Sequence, residues 1–252
     1  MINYRLVIQY DGTDFCGWQV QGTGERTVQG ELDRVLSLLD DRTVTIHGAG
    51  RTDTGVHAEG QVATVLLQHD FAPWHLQAAM NGNLPHDIRI TGVDVVPDKF
   101  NARHESKGKT YRYRIVNAKV MPPAWRRFAL REGRRLDLDA MRACIPLLIG
   151  RHDFTAFASA KVTVLSRIRD LTSLTIDAET VDGIDGQLIT ITISAAGFIR
   201  YMARGIAGAL LAVGRGEFKP EAITQALESG IRPQQFNTAK AHGLTLMKVH
   251  YD

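Results

Sequence analysis

Cysteine is scarce in this sequence, because only Cys16 and Cys144 occur among 252 residues. No Cys-x-x-Cys pair is present, which argues against a disulfide framework and against a structural zinc site of the usual kind. Two thiols in a chain of this length fit a reducing cytosol. The low cysteine content therefore predicts a cytoplasmic protein whose fold depends on a hydrophobic core.

Long apolar runs are also missing. The longest weakly charged apolar stretch, residues 206–214, is too short to span a bilayer. The N-terminal segment carries a charge inside its short apolar run and has no cleavage site, so it does not match a signal peptide. We therefore expect a soluble protein without a membrane segment.

The charge of this globular composition is unevenly distributed. Hydrophobic residues make up 44% and charged residues 23% of the chain, whose length suits one large domain or two smaller ones. Residues 101–135 hold eleven Lys or Arg and two acids, which gives this segment a charge of +9. Because the net charge of the whole chain is +3, the charges of all other residues sum to −6. Tyr111, Tyr113 and Trp125 are interleaved with these charges. Such a stripe indicates binding of RNA or single strands, although a solvated cationic face would have the same composition.

The hydrophobic periodicity predicts an α+β chain in two halves with similar element order. The first half contains predicted strands at 4–10, 43–46, 62–67 and 88–96 and helices at 27–40 and 73–83. The second contains strands at 110–116, 167–176, 188–194 and 244–249 and helices at 138–149, 198–213 and 220–229. Each half follows the β-α-β-β-α-β order of the ferredoxin-like fold, with one extra helix in the second. We therefore predict mostly antiparallel sheet with helices on one face, halves at 1–104 and 105–252, and an active-site cleft between them.

The most unusual segment is GAGRTDTGVHA at 48–58, in which three glycines permit tight turns around Arg51, Asp53 and His57. A carboxylate held exposed by such turns can act as a nucleophile, a general base or a metal ligand. Asp53 could equally cap its own backbone in a plain turn. The Asp-Thr-Gly triplet also occurs in aspartic proteases, but those enzymes need two facing triplets and this chain has one. A metal hydrolase built from His47, Asp53 and His57 is a further alternative, without a spaced ligand motif to support it.

The segment GRTDTGVHA at 50–58 resembles the signature loop of the TruA family of tRNA pseudouridine synthases. The resemblance extends over nearly the whole chain and includes several further blocks in the family's order. These blocks are YRLVIQYDGTDFCGWQ (4–19), TVQGELDRVL (27–36), FNARHESKGKTYRYRI (100–115), RHDFTAF (151–157), GFIRYMARGIAGALLAVGRG (197–216) and AKAHGLTLMKVHY (239–251).

The resemblance implies an isomerase that converts uridine to pseudouridine at positions 38, 39 and 40 in the anticodon stem-loop of tRNA. It also implies a homodimer that uses no cofactor. The lack of a spaced Cys/His ligand set in the sequence predicts that no metal takes part. Asp53 matches the family's catalytic aspartate, and Tyr111, Arg51 and Arg204 match substrate-binding residues. The family more often has a polar amide residue where this sequence has Gly205.

The implied reaction breaks the N1–C1′ bond, turns the uracil and forms a C5–C1′ bond, so it needs no external reagent. A carboxylate can add to C6 of the base or to C1′ of the ribose, and the sequence does not distinguish these. The base must first be flipped out, at a cost of a few kcal/mol. Arg51 could fill the vacated space, Tyr111 could stack on the uracil, and Arg204 could keep Asp53 ionised. The alternative function is that of a non-catalytic RNA-binding protein built from two ferredoxin-like units. His57 is expected to stabilise the loop.

Overall fold

A computed structural model describes residues 1–22, 24–160 and 165–251 of the chain. The fold divides into two compact units. The first comprises Met1–Lys107 with Leu246–Asp252, and the second comprises Gly108–Thr245. The C-terminal segment thus groups with the N-terminal unit, although the predicted halves at 1–104 and 105–252 place it in the other.

The first unit is a sheet with two helices. Its elements are β1 (Ile2–Tyr10), α1 (Val28–Leu39), β2 (His47–Gly48), β3 (His57–Leu67), α2 (Pro73–Asn83), β4 (Ile88–Val96) and the part of β10 (Leu244–His250) that lies beyond Thr245. The strand order is β4-β1-β3-β10, and β2 pairs with β3. Strand β1 is antiparallel to both β3 and β4. Side chains alternate between the faces of a strand, so β1 buries Tyr4, Leu6, Ile8 and Tyr10 together.

Helix α1 begins at the predicted cap, where Thr27 Oγ1 accepts the N–H of Gly30 at 3.2 Å. The predicted strand over 43–46 is wrong, because this segment forms no strand. Side chains of α1 satisfy its backbone instead. Asp33 accepts the N–H of Ile46 at 2.7 Å, and the Ser37 hydroxyl accepts the N–H of Val44 at 2.9 Å.

The end of α1 is tied to the end of β3 by the buried carboxylate of Asp40. Its oxygens accept the N–H groups of Gln68 and His69, each at 2.9 Å, and the Nε–H of Arg42 at 2.6 Å. Burial alone would raise the pKa of Asp40, but these hydrogen bonds outweigh burial and lower the pKa. The charged form of Asp40 is therefore part of the folded structure.

The second unit combines strands with short and long helices. Its elements are β5 (Gly108–Ala118), β6 (Leu130–Glu132), α3 (Leu138–Ala143), α4 (Ile145–Leu148), β7 (Gly150–Asp153), β8 (Ile168–Glu179), β9 (Gly186–Ala195), α5 (Met202–Gly214) and α6 (Glu221–Ser229). The strands follow the order β5-β9-β8-β7 and are antiparallel, whereas β6 pairs in parallel with β5. The predicted helix at 138–149 is interrupted at Cys144, near Pro146, which has no backbone N–H to continue it.

Helix α5 begins four residues later than predicted, because Tyr201 has a left-handed backbone conformation with φ of 68°. Two of its glycines allow other backbone segments to approach closely. A Cβ at Gly205 would collide with the carbonyl oxygen of Phe157, and one at Gly208 with that of Asn237. Packing therefore requires glycine at 205, where the family resemblance leads one to expect a polar amide.

These elements confirm the predicted α+β class with mostly antiparallel strand pairing. The sequence patterns did not predict the short strands β6 and β7. Within the ranges that the structure describes, no helix combines the length and the apolar character that crossing a membrane requires.

Candidate active site

Asp53 lies on the turn that leads into β3, with its side chain half-buried. Its neighbours Thr52 and Val56 are 7% and 2% exposed, whereas Arg51 is exposed. The Val56 N–H donates to the Asp53 carbonyl at 3.1 Å, and Gly55 takes a φ of 77° that glycine adopts without strain. The turn thus anchors the backbone on both sides of a carboxylate that reaches the surface.

Tyr10, at the end of β1, contacts the side chain of Thr52, and the segment between β1 and α1 contacts its backbone. The hydroxyls of Tyr10 and Thr52 lie 2.8 Å apart, and the Trp18 N–H donates to the Thr52 carbonyl at 3.0 Å. Gly17, with φ of 87°, lies so close that a Cβ would come within 2.7 Å of that carbonyl oxygen. Thr52, the residue before Asp53, is therefore held in place by residues that are distant from it in the sequence.

Tyr10 connects this turn to a buried polar network. It is 4% exposed, and burial raises the pKa of its hydroxyl, against the opposing effect of hydrogen bonds with Thr52 and Gln61. Gln61 is fully buried and donates from Nε2 to the Gly50 carbonyl at 2.8 Å. Because Tyr10 stays protonated at neutral pH, it acts here as a hydrogen-bonding group that links residues on both sides of Arg51.

His57 closes the same turn from its other end. Its ring is 2% exposed, and Nδ1 accepts the Gly12 N–H at 3.0 Å, with a carboxylate oxygen of Asp11 3.2 Å from the same nitrogen. These contacts are those of a histidine that holds the loop. His47, by contrast, lies exposed on β2, and the described residues include no group of three or more His, Cys, Asp or Glu that could hold a metal ion.

Tyr111 lies on β5 opposite Ile193 of β9 and is 7% exposed. Its ring packs edge-on against Phe198, with centroids 4.8 Å apart and an interplanar angle of 76°. Tyr113 lies on the same face but is fully buried, and its hydroxyl donates to the Lys240 carbonyl at 2.9 Å. Tyr113 is thus a core residue with a satisfied hydroxyl.

Arg204 is half-buried in the first turn of α5. Its Nε donates to the Ala239 carbonyl at 2.7 Å, and its own carbonyl accepts the Ala239 N–H at 3.0 Å. Its guanidinium carbon lies 4.9 Å from the ring centroid of Tyr201. Arg51 and Asp53 therefore share one loop of the first unit, whereas Tyr111 and Arg204 belong to the second.

A family model described as tRNA pseudouridine synthase matches residues 6–105 and 144–252. The chain belongs to the tRNA pseudouridine synthase family. It is 42% identical to tRNA pseudouridine synthase A of Bacillus sp. (strain KSM-64), and the alignment covers the full length of both chains. It is likewise 39% identical to tRNA pseudouridine synthase A 2 of Bacillus anthracis and 38% identical to tRNA pseudouridine synthase A of Thermodesulfovibrio yellowstonii, each over the full length of both chains.

Members of the tRNA pseudouridine synthase family are isomerases that act on RNA, so the predicted family and enzyme class are confirmed. The protease, metal-hydrolase and purely RNA-binding interpretations give way to this assignment. The family match covers Arg51, Asp53 and Arg204, whereas Tyr111 falls between its two matched stretches.

Sequence reasoning missed the residues that support this loop. Tyr10 continues the alternation of β1, which indicates a buried residue but no partner. Gln61 gives no signal, because a glutamine in a strand is more often exposed. Tyr201, which lies beside Arg204 and not at this loop, gives none either, since its sequence neighbours predict an uninterrupted helix.

Proposed function

We propose that this protein isomerises uridine to pseudouridine at positions 38, 39 and 40 in the anticodon stem-loop of tRNA. The family match supports the reaction, and the relatives named tRNA pseudouridine synthase A support the tRNA substrate. In the reaction the N1–C1′ bond breaks and a C5–C1′ bond forms, while C5 loses a proton and N1 gains one. All atoms of the uridine are retained, so the proposal includes no cofactor.

Asp53 is the proposed nucleophile. The observation that carries this assignment is a half-buried carboxylate on a turn whose flanking residues, Thr52 and Val56, are buried and hydrogen-bonded. Such anchoring holds a reacting group in one geometry and reduces the entropy that the reaction must overcome. The ionised carboxylate either adds to C6 of the uracil, across the C5–C6 double bond, before the N1–C1′ bond breaks, or attacks C1′ of the ribose and displaces N1 of the uracil in that step. In both cases the carboxylate is released again once the C5–C1′ bond has formed.

Three residues are proposed to bind the substrate. The target base must leave its stack, which costs a few kcal/mol, and the exposed guanidinium of Arg51 beside Asp53 is suited to occupy the space that the base leaves. Tyr111 offers a ring for stacking on the flipped uracil and a hydroxyl for assisting the loss of the C5 proton. Arg204 offers a positive charge for the RNA substrate.

The two halves predicted from the sequence have different proposed roles. We propose that the N-terminal half, 1–104, carries the catalytic loop and that the C-terminal half, 105–252, carries the basic strand and the late helix. We propose further that the protein acts as a homodimer in the cytoplasm. The basic segment 101–135, with its local charge of +9, is suited to bind the phosphate backbone of tRNA.

The proposed function is tested with an unmodified tRNA transcript incubated with the protein in the absence of any cofactor. Mapping of pseudouridine should find it at uridines 38, 39 and 40. A transcript with cytidine at these three positions is the matched control and should remain unmodified. Pseudouridine confined to other positions would contradict the proposed specificity, and tight tRNA binding without any pseudouridine would favour a purely binding function.

A further inference from the structure

Tyr201 has a backbone conformation that its residue type disfavours. Among the non-glycine residues that the structure describes, only Tyr201 (φ 68°) and Asp41 (φ 50°) have positive φ. The left-handed region brings Cβ close to the following carbonyl oxygen, so glycine and asparagine adopt it far more readily than tyrosine. Strain of this kind persists where surrounding contacts enforce it, and it is concentrated at functional sites.

Helix capping does not explain tyrosine at this position. Tyr201 is the N-cap residue of α5, but its side chain makes no capping hydrogen bond. Serine, threonine, aspartate or asparagine would cap the helix better. Core packing does not explain it either, because the side chain is only half-buried.

Two arginine side chains lie against the Tyr201 ring. The guanidinium carbons of Arg200 and Arg204 each lie 4.9 Å from its centroid, and Arg200 also donates to the Tyr201 hydroxyl at 3.3 Å. A guanidinium within about 6 Å of an aromatic centroid is attracted by the ring quadrupole. The backbone conformation of Tyr201 thus places one ring against two arginine side chains, one of which is Arg204.

Two contacts help to hold the Arg204 guanidinium in place. Its Nε is hydrogen-bonded to the Ala239 carbonyl at 2.7 Å, and its guanidinium carbon lies near the Tyr201 ring. A long side chain loses rotamer freedom when it binds a ligand, and holding it in place beforehand reduces that loss. The hydrogen bond holds Nε of Arg204 in place, and the adjacent Tyr201 ring restricts the rotation of the rest of the guanidinium group.

We propose that Tyr201 is a positioning residue that holds Arg204 in the orientation in which it binds the RNA substrate. The proposal rests on the substrate-binding role proposed for Arg204 above. The ring of Tyr201 holds Arg204, whereas the Tyr201 hydroxyl serves only the contact with Arg200. This role also accounts for tyrosine at a backbone position that favours glycine or asparagine.

The test uses variants with and without the ring. Tyr201→Asn and Tyr201→Gly suit the left-handed backbone and remove the ring, whereas Tyr201→Phe keeps the ring and removes the hydroxyl. We expect the ringless variants to lose about 3- to 30-fold in kcat/KM for tRNA, the range that a cation–π contact of ordinary strength implies. Tyr201→Phe should stay close to wild type. Asp41→Gly, at the other left-handed position, is the matched control and should leave kcat/KM unchanged.

A double-mutant cycle separates positioning from a general structural role. In an Arg204→Gln background, Tyr201→Asn and Tyr201→Gly should cause no further loss of kcat/KM, because the guanidinium that the ring orients is gone. Equal losses with and without Arg204, or wild-type kcat/KM in the ringless variants, would overturn the proposal while leaving the role of Arg204 intact. Wild-type kcat/KM in Arg204→Gln would instead refute the substrate role of Arg204, and the positioning role with it. Thermal unfolding confirms that each variant is folded at the assay temperature.

Discussion

Removing the hydroxyl of Tyr10 tests whether the buried network positions Asp53. Tyr10→Phe deletes one oxygen from a strand residue that does not itself reach the surface. Its loss leaves the Thr52 hydroxyl and the Gln61 side chain without the partner that links them. The residue next to Asp53 then loses its side-chain anchor, while its backbone contact with Trp18 remains.

The expected magnitudes follow from burial. Leaving a buried polar group without its partner costs about 1–3 kcal/mol of unfolding free energy. For a chain of this size the melting temperature should fall by about 2–10 °C. Small displacements of a reacting group have large effects on rate, so we expect the single-turnover rate to fall about 10- to 100-fold. The affinity for tRNA should change little, because Tyr10 is 4% exposed and does not reach the RNA.

Tyr4→Phe is the matched control for Tyr10→Phe. Tyr4 lies on the same strand, is fully buried, and its hydroxyl both donates to the Phe71 carbonyl at 2.9 Å and accepts the Phe71 N–H at 2.8 Å. This variant should lose a similar amount of stability and keep the wild-type single-turnover rate. If both variants turn over equally well at temperatures where both are folded, the network does not position Asp53.

Three further predictions concern stability and the active site. Because the pKa of Asp40 is lowered in the folded protein, its carboxylate stabilises the fold fully at pH values above the ordinary aspartate pKa of about 4. This stabilisation is lost as the pH falls through the lowered pKa. The difference in urea-unfolding free energy between wild type and Asp40→Asn should therefore shrink in acid. Tyr111→Phe should bind tRNA almost normally but turn over about 10²–10⁴-fold more slowly, because it lacks the hydroxyl. Tyr111→Leu should also lose affinity for tRNA, because it lacks the ring that stacks on the base. Wild-type turnover by Tyr111→Phe would exclude a catalytic role for the hydroxyl and leave stacking as the role of Tyr111. Gly205→Ala should destabilise the protein by about 1–3 kcal/mol in urea unfolding, because the added Cβ collides with the Phe157 carbonyl oxygen. Gly82→Ala is the control, at an exposed helical position with open space around it, and should stabilise the protein by about 0.5–1 kcal/mol. Equal effects of the two substitutions would refute the packing argument.

Elements with strong local signals could be predicted from the sequence. Helix α2 and strand β4 have the predicted bounds, since proline at the helix start and alternating apolar residues are signals contained in the segments themselves. The segment 43–46 alternates like a strand but forms none, because α1 side chains satisfy its backbone. Residues 198–201 continue the helical pattern, but the conformation of Tyr201 delays the helix to Met202.

Of the proposed site residues, only Arg51 and Asp53 in the central loop are indicated by their own sequence pattern, whereas Tyr111 and Arg204 follow from the family resemblance. Glycines around Arg51 and Asp53 are a local signal, whereas the support for that loop comes from residues distant in sequence. Tyr10 and Thr52 are separated by 42 positions, and their hydrogen bond exists only once β1 and β3 have paired. Long-range polar contacts of this kind leave no periodic pattern, so single-sequence reasoning does not find them.

Turnover by Asp53→Asn tests the central claim most directly. Asparagine keeps the size and shape of the side chain and removes the charge that a nucleophile needs. The variant should be produced in cells that lack their own enzyme of this family and assayed with unmodified tRNA in large enzyme excess. We predict tRNA affinity close to wild type and no pseudouridine at positions 38, 39 or 40. Pseudouridine formed by this variant at any measurable rate would contradict the assignment of Asp53 as the nucleophile.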